Sequence, residues 1–417
     1  MTEYDLVIKG ARINDESNLV DIGISEGKIA RIDRKLSGRN IIDVNGDVVV
    51  PSFIESHIHL DKALLERVRP NLEGTLASAI RITGELKKGF QYEEVLSRSR
   101  NVLEMLIAHG TTYVRAHPDT DPLGGLTGFK VMLQLKKEFA NAVDMQIVAF
   151  PQEGLIKLPG ALEILEEAMK LGADVVGGCP YNENSYEDTK KHIDLVFDLA
   201  KKYNKDIDFH ADFGDNPEDL RYRSIDYIIE KTLKEGYHGR VTVGHMTSLS
   251  SIDPSLLKDT ITRMAEAGIN IVALPATDLY LSGRGDLNKV RRGVINPKPF
   301  VEGGVNVAFS SNNIRNAFTP FGKGDLLMIG SLYEHAAQLG SVSDQKLLLK
   351  MITENAAKIL RISDKYGLEE GKQADMVVLG TKTLSDIFIE VPVRRYVIKR
   401  GKIVYRSELL ELKNWGG

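Results

Sequence analysis

Cysteine is nearly absent from this 417-residue chain, in which Cys179 is the single example. One cysteine excludes an intrachain disulfide and any metal site built from several thiolates. Its setting, Asp174-Val-Val-Gly-Gly-Cys-Pro180, is typical of a strand end in the interior. We therefore expect Cys179 to be a small buried residue rather than a nucleophile.

Long apolar runs and a large excess of one charge are also missing. No run approaches the ~20 apolar residues that cross a bilayer, and the segment from Met1 to Val7 has neither a basic start nor an apolar signal core. The formal net charge is only -4, which argues against a nucleic-acid patch or an acidic tail. We expect a cytoplasmic protein with a small, roughly neutral ligand and with neither nucleic acid nor membrane as a partner.

Short β-type runs occur at both ends of the chain. They are Tyr4 to Lys9, Val20 to Ile24, Lys28 to Ile32 and Ile41 to Val44 near the N-terminus, and Ala374 to Leu379, Val393 to Ile398 and Lys402 to Tyr405 near the C-terminus. Neither group alone buries enough surface to be stable. We predict one composite β-sandwich formed by residues 1–50 and 366–417.

The central residues, 51–365, alternate short apolar runs with long amphipathic helical patterns such as Tyr92 to Ala108. The eight strand candidates are Val48 to Phe53, Thr112 to Arg115, Met145 to Phe150, Asp174 to Gly178, Asp206 to Phe209, Arg240 to Val243, Ile269 to Ala273 and Val305 to Phe309. This number of strand-helix units predicts an α/β fold, a (β/α)8 TIM-type barrel. Such barrels carry their chemistry at the carboxyl ends of the strands.

Histidines follow several of these strands. In His57-Ile58-His59 the two imidazoles can point to one side of the chain and reach one metal ion. His210 and His245 follow the fifth and sixth strands, so the four side chains are predicted to meet at the barrel mouth. His117, after the second strand, could hold a ligand or make a structural hydrogen bond. The others, His109, His192, His238 and His335, fall in helical patterns and are expected at the surface or at helix ends.

Several stretches resemble the cytosine deaminase branch of the amidohydrolase superfamily. They are His57-Ile-His-Leu-Asp61, Arg115-Ala-His117, Ala149-Phe-Pro-Gln-Glu-Gly154, Leu171-Gly-Ala-Asp-Val-Val-Gly177, His210-Ala-Asp212, Gly283-Arg284 and Arg291-Arg-Gly293. The resemblance covers nearly the whole chain. It implies the barrel and the split β-sandwich, and the hydrolysis of C–N bonds in a small heterocycle.

The resemblance also implies roles for particular residues. His57, His59 and His210 would bind a metal, His245 would contact the metal-bound water or the substrate, and Gln152 would contact the edge of a pyrimidine. No lysine ends the fourth strand. The resemblance therefore implies one divalent ion, iron or zinc, rather than a pair bridged by a lysine carbamate.

The chain departs from the family pattern at two positions. Phe213 stands where the motif His-x-Asp-Glu has its glutamate, and Asn312 stands where a metal-binding aspartate follows the eighth strand. Phenylalanine cannot carry a proton, and a neutral asparagine is a weaker ligand. Asn312 is nevertheless counted with the metal ligands. The predicted ligand-binding residues are His117, Gln152, Phe213 and Asn313.

Another acid could replace the missing glutamate. The acids in strand-end loops are Asp61, Glu153, Asp212, Asp215 and Asp278. For each of them, the alternative is a structural role in a turn or as a helix cap. We predict His245 and Asp212 as the catalytic residues. In the loop after strand seven, Arg284, Arg291 and Arg292 could contact an anionic group, although a salt-bridged surface loop is the preferred interpretation.

Two functions fit these patterns. The first is a metal-dependent hydrolase of C–N bonds with altered or weakened chemistry. The alternative is a catalytically impaired relative that binds a pyrimidine-like or triazine-like ligand. A third class is a structural subunit that lends its barrel to an oligomer with an active partner, for which a helical surface such as Lys323 to Leu339 could be an interface. A homo-oligomer is also considered.

Overall fold

The computed structural model describes residues 3–14, 18–216 and 218–407. The N-terminal strands are β1 (Tyr4–Ala11), β2 (Val20–Ser25), β3 (Lys28–Asp33), β4 (Gly38–Asp43) and β5 (Val48–Pro51). Four of them form a sheet in the order β3-β2-β1-β4, in which β1 pairs antiparallel with β2 and parallel with β4. Glu26 and Gly27 have φ angles of 51° and 73°, as a two-residue hairpin between β2 and β3 requires.

The central strands form one parallel sheet in sequence order. They are β6 (Phe53–Ile58), β7 (Thr111–Ala116), β8 (Asp144–Ala149), β9 (Val175–Gly178), β10 (Asp206–Ala211), β11 (Val241–His245), β12 (Asn270–Ala273) and β13 (Asn306–Phe309). The first and last strands meet at their carboxyl ends, where the His59 amide donates to the Asn312 carbonyl at 2.9 Å. The predicted (β/α)8 barrel is confirmed.

The C-terminal strands are β14 (Met376–Leu379), β15 (Arg394–Lys399) and β16 (Lys402–Arg406), and with β5 they form an antiparallel sheet. The prediction of one strand from Val48 to Phe53 is therefore wrong. Val48–Pro51 pairs with β14, and the barrel begins at Phe53. The run is apolar on both sides of Ser52, so its pattern does not show that the chain changes sheets there. The Ser52 amide donates to the Asp375 carbonyl, whereas the Phe53 amide donates to the Gly110 carbonyl.

The two small sheets share an apolar core. Ile8 and Ile24 of the first sheet belong to the same buried cluster as Val49, Met376 and Ile398 of the second. The additional sheets are thus built from both ends of the chain, as predicted. The exact domain boundaries, 1–50 with 366–417 and 51–365, stay a prediction.

Helices surround the barrel. They are α1 (Leu76–Lys87), α2 (Tyr92–Ala108), α3 (Thr127–Glu138), α4 (Ala161–Lys170), α5 (Tyr186–Tyr203), α6 (Ile225–Lys234), α7 (Pro254–Ala267), α8 (Pro275–Leu281), α9 (Pro297–Glu302), α10 (Leu326–Ala337), α11 (Val342–Ile352), α12 (Glu354–Ile359) and α13 (Ile387–Glu390). Short 3-10 turns lie at Pro180–Asn182, Leu220–Arg223, Thr247–Ser251 and Leu384–Asp386. In the described residues, no helix has both the length and the apolar character to span a membrane.

Local sequence explains where a helix such as α5 begins and ends. The Ser185 hydroxyl accepts a hydrogen bond from the Asp188 amide, and Asn204 ends the helix with a φ of 51°. Between these ends, apolar side chains such as Phe197 face the barrel, where its ring lies 6.2 Å from that of Phe209 on β10. This packing holds the strands so that their carboxyl ends form one surface.

Candidate active site

Three histidine nitrogens converge at the carboxyl ends of β6 and β10. The Nε2 atom of His210 lies 3.0 Å from Nε2 of His57 and 2.9 Å from Nε2 of His59. All three side chains are buried. Donor atoms of these residues lie within 4.8 Å of one another, a spacing at which one metal ion can bind all three.

The second ring nitrogen of His59 has a fixed partner. Its Nδ1 donates to the carbonyl oxygen of His117 at 2.8 Å, which leaves Nε2 as the atom that faces the other imidazoles. A histidine held in this way offers a lone pair in a defined direction.

Burial lowers the pKa of His57, His59 and His210 well below the ordinary value. The positive charge of neighbouring side chains, mainly the other histidines when protonated, lowers each pKa further. The three imidazoles are therefore neutral, which is the form that binds a metal. Three neutral, buried and convergent nitrogens fit a divalent ion.

His117 lies behind this group rather than in the cavity. Its ring stacks on His57 with centroids 3.9 Å apart, and its Nε2 lies 3.3 Å from Asp208 Oδ1. His57, His117 and Asp208 also have donor atoms close together, but Arg115 already pairs with Asp208 at 2.9 Å. The predicted ligand-binding role of His117 is thus not supported, because its side chain is covered by the His57 ring.

His245 ends β11 with a φ of 74°. Its Nδ1 lies 2.7 Å from Oδ1 of Asp278, whose other carboxylate oxygen accepts a hydrogen bond from the Leu274 amide at 3.1 Å. Burial raises the pKa of Asp278 from its ordinary value, and the contact with His245 opposes this. Asp278 thereby fixes the orientation of His245 and leaves Nε2 for a ligand.

The side chain of Asp212 binds the start of α6. Its carboxylate accepts hydrogen bonds from the Ser224 amide and hydroxyl, both at 2.7 Å, and from the Ile225 amide at 3.4 Å. Burial raises the pKa of Asp212 to about 7. Its side chain binds the first residues of α6, because the chain turns at Asp212 with a φ of 50°. This placement favours the helix-cap alternative for Asp212, and its catalytic role stays a prediction.

Three of the other acids are also engaged elsewhere. Asp61 accepts from the Asp119 amide at 2.9 Å, Glu153 pairs with Lys87 at 2.9 Å, and Asp215 accepts from the Gly283 amide at 2.9 Å. Among the five acids predicted as replacements, Asp278 is the one with a hydrogen bond to a site histidine.

A small inner cavity adjoins the histidines. Its volume is about 10 Å³, roughly the space of one water molecule. The lining residues are His59, Lys62, Gln152, Tyr181, His210, Phe213, His245, Thr277, Asn312, Asn313 and Phe318. The cavity thus brings together the predicted residues Gln152, Phe213, His245, Asn312 and Asn313.

Lys62 is a cavity residue that sequence reasoning missed. Its Nζ donates to Asp119 Oδ1 at 2.8 Å and to Gln152 Oε1 at 3.0 Å. The available signal was its place directly after the His-x-His-Leu-Asp motif. Its side chain orients the amide of Gln152.

Asn312 and Asn313 face the cavity from the end of β13. Asn312 has a φ of 61°, and its side-chain oxygen is buried without a hydrogen-bond partner in the described residues. Asn313 accepts from the Asn316 side chain at 2.7 Å. A carbonyl oxygen without a partner is available to a metal ion or to a donor on a ligand.

A larger outer cavity, about 700 Å³, lies next to the inner one. Tyr181 and Phe213 line both. Arg284 reaches the outer cavity, where its guanidinium lies 4.4 Å from the Tyr280 ring centroid. Arg291 pairs instead with Asp286 at 2.7 Å, as the salt-bridge alternative predicts.

Two expectations about residues beside the site have different outcomes. Cys179 is buried, as predicted, and burial raises the pKa of its thiol to about 12. His192 is not at the surface: it is buried, 2.7 Å from Glu183, and accepts a hydrogen bond from the Cys179 amide at 3.0 Å. Tertiary packing of α5 on β9 covers it.

A parallel barrel with histidine nitrogens converging at the carboxyl ends of its strands defines a class of metal-site barrel proteins. The family profile named Amidohydrolase family matches residues 48–404 of this chain. The chain therefore belongs to the amidohydrolase family, and it is a hydrolase by that membership. The resemblance inferred from its motifs is confirmed.

Individual relatives match over nearly their full length. The chain is 31% identical to N-isopropylammelide isopropyl amidohydrolase from Pseudomonas sp. (strain ADP), covering 98% of this chain and 99% of that one. It is 26% identical to a pterin deaminase from Rhizobium rhizogenes, covering 98% and 89%.

Solved structures agree with this relationship. The structure of 5-methylcytosine deaminase from Klebsiella pneumoniae, liganded with 5-fluorocytosine, superposes with a TM-score of 0.93 at 30% identity, covering 98% of this chain and 99% of that chain. N-isopropylammelide isopropylaminohydrolase from Burkholderia multivorans gives a TM-score of 0.84 at 27% identity, covering 96% and 98%.

Proposed function

We propose that this protein hydrolyses a C–N bond, other than a peptide bond, of a small amino-heterocycle with the help of one divalent metal ion, iron or zinc. The observation that carries the proposal is the convergence of three histidines, because Nε2 of His57 and Nε2 of His59 lie 3.0 and 2.9 Å from Nε2 of His210. Asn312 would complete the ligand set as a neutral oxygen donor. The relatives named for deaminase and amidohydrolase activities support the reaction class.

Four residues of the inner cavity have a task in this proposal. A bound divalent ion supplies Lewis-acid activation of water. His245 moves the proton at Nε2, because its Nδ1 is held by Asp278 at 2.7 Å. Gln152 and Asn313 hold the polar edge of the heterocycle, and Phe213 covers its ring and excludes water.

The experiment that tests this proposal is metal analysis of the purified full-length protein. Assays of ammonia or amine release follow, with iron, zinc or manganese added. Cytosine, isocytosine and related amino-heterocycles are the substrates to try. We expect about one ion per chain and slow but measurable release. His210→Ala should lose both metal and activity, whereas His335→Ala, which changes an exposed histidine, should keep both.

A second candidate is a catalytically impaired relative that binds a pyrimidine-like ligand. It is favoured by the absence of any carboxylate from the lining of the inner cavity in the described residues, and by Phe213, which occupies the place beside His245. Saturable binding of a heterocycle without release of ammonia or amine, in protein loaded with metal, would support this candidate and contradict the hydrolase.

A further inference from the structure

The two cavities at the barrel mouth differ in what they can hold. The inner cavity, about 10 Å³, has room for about one water molecule. A cavity of about 150 Å³ binds one benzene ring, so the inner cavity cannot hold a heterocycle while Phe213 lies on His245 with ring centroids 4.0 Å apart. The outer cavity, about 700 Å³, has room for such a ring and its substituents.

Three aromatic side chains form an aromatic wall of the outer cavity: Tyr181, Phe213 and Tyr222. Tyr181 lies between the other two, with ring centroids 6.0 Å from Phe213 and 6.3 Å from Tyr222. The Tyr181 plane is inclined by 80° to Phe213 and by 34° to Tyr222. Aromatic rings pair in offset-stacked or edge-to-face geometry, and a wall of differently inclined rings suits both.

The surrounding chain holds Tyr222 in place. A Cβ atom on Gly214 would lie 2.5 Å from Cδ1 of Tyr222, so the Gly214 backbone packs directly against the ring. The Tyr222 carbonyl accepts a hydrogen bond from the Ser248 hydroxyl at 2.6 Å, and the Arg221 guanidinium lies 5.5 Å from the ring centroid. The aromatic wall is therefore formed before a ligand binds, which lowers the entropic cost of binding.

Charge does not select the ligand of the outer cavity, because its lining includes both signs. The acids Glu183 and Asp215 line it together with the bases Lys157 and Arg284. The Lys157 ammonium group donates to the carbonyl and side-chain oxygens of Asn182 at 3.0 and 2.9 Å, which leaves a third N–H. Such donors suit the oxo groups and ring nitrogens of an uncharged heterocycle.

We propose that the outer cavity is a binding site in its own right for a planar amino-heterocycle, whose ring packs against the aromatic wall while Phe213 still covers His245. The inference goes beyond the proposed function, because binding at this site needs no metal ion. A ligand held here reaches the histidines only when the Phe213 ring moves away from His245.

Fluorescence titration of the full-length protein with pterin tests the inference, once as purified and once after treatment with a chelator. Pterin is a fluorescent, planar amino-heterocycle, and a change in its emission reports binding. We expect saturable binding with a Kd that changes less than ~3-fold on chelation. In Tyr222→Leu the Kd should rise at least ~10-fold, because the leucine has no aromatic face. Tyr222→Phe keeps the ring and should keep the wild-type Kd.

Two further variants locate the site in the chelator-treated protein. Asn313→Ala changes a residue that lines the inner cavity and not the outer one, and it should not alter the Kd for pterin. The matched control for the loss of a tyrosine ring is Tyr92→Leu, because Tyr92 is exposed at the start of α2. This variant should bind pterin as the wild type does.

An unchanged Kd in Tyr222→Leu, weaker binding in Asn313→Ala, or no binding by the chelator-treated wild type would overturn the inference. If Tyr222→Leu fails to fold, a crystal structure of the chelator-treated wild type with pterin decides instead. The inference requires the pterin ring to lie against Tyr181 and Tyr222, and a ring elsewhere overturns it.

The failure of this inference can be told apart from the failure of the proposed function. Ammonia or amine release by metal-loaded protein, with an unchanged Kd in Tyr222→Leu, overturns the inference alone. Pterin binding that depends on Tyr222, without release from any heterocycle tried, supports the inference and contradicts the hydrolase.

Discussion

Phe213 lies flat on the imidazole of His245, with ring centroids 4.0 Å apart and the planes inclined by 9°. The same phenyl ring lines both the inner and the outer cavity. A position that could present an acid to His245 therefore presents an apolar face. The side chain at position 213 offers no proton-carrying group to His245.

A carboxylate at this position should restore proton transfer. We predict that Phe213→Glu raises ammonia release from cytosine by about 10²-fold, since a positioned acid or base contributes about that much. Phe213→Gln is the matched control, because it has the same shape as Glu and cannot accept the proton. Steady-state assays of metal-loaded protein measure the effect, and equal rates for the two variants would contradict the prediction.

Asp278 should act as a positioning residue for His245. We predict that Asp278→Asn lowers kcat at least ~10-fold, because an amide can present its N–H to Nδ1 and favour the wrong tautomer. KM and metal content should change little. Partial recovery in Asp278→Glu would support positioning, whereas a change confined to KM would show that Asp278 acts on ligand binding instead.

Lys87 is the buried centre of an ionic cluster with Asp119, Asp121 and Glu153, at distances of 2.5 to 2.9 Å. We predict that Lys87→Met lowers the free energy of unfolding by about 3–5 kcal/mol, because it leaves buried carboxylates without their cation. Urea denaturation measures the loss. The exposed neighbour offers the control Lys88→Met, expected to change stability by less than about 0.5 kcal/mol. Similar losses in both variants would refute the role of the cluster.

The ionisation of Asp344 makes the free energy of unfolding depend on pH in the acid range. Although burial opposes ionisation, hydrogen bonds from Lys298 and Ser341 lower the pKa of Asp344 to about 2. Since this lies below the unfolded value of about 3.9, the ionised side chain stabilises the fold above about pH 4, and the contribution is lost as the pH falls toward about 2.

We therefore predict that the stability advantage of the wild type over Asp344→Asn shrinks by about 1–2 kcal/mol between about pH 5 and about pH 2. Urea unfolding at several pH values measures this difference. Asp259→Asn changes an exposed partner of Arg263 and should keep a nearly constant difference. A constant difference for Asp344→Asn as well would contradict the assigned pKa.

Much of the architecture could be predicted from local patterns. Alternation of short apolar runs with amphipathic helices indicates eight strand-helix units, and the structure has them. The exception is the first strand, because Val48–Pro51 and Phe53–Ile58 are both largely buried and belong to different sheets. Periodicity reports burial, but it does not report which sheet a buried strand joins.

Side-chain direction beyond a strand end was harder to predict. Asp212 and Asn312 both follow strands and both have positive φ angles, 50° and 61°, yet one side chain caps α6 and the other lines the cavity. Lys62 is a further example. It follows the His-x-His-Leu-Asp motif in the sequence, and the fold places its side chain in the lining of the inner cavity. A single turn in the left-handed region redirects the chain, and local sequence does not encode where it points.

The sequence by itself determined the barrel, the small sheets from both chain ends and the convergence of His57, His59 and His210, because strand period and strand count are local properties. The tertiary structure alone decided that Asp278 binds His245, that Asp212 binds the start of a helix, and that the inner cavity has no acid among the described residues that line it. These outcomes depend on contacts between residues far apart in the chain, which form only when the barrel closes and the loops pack against one another.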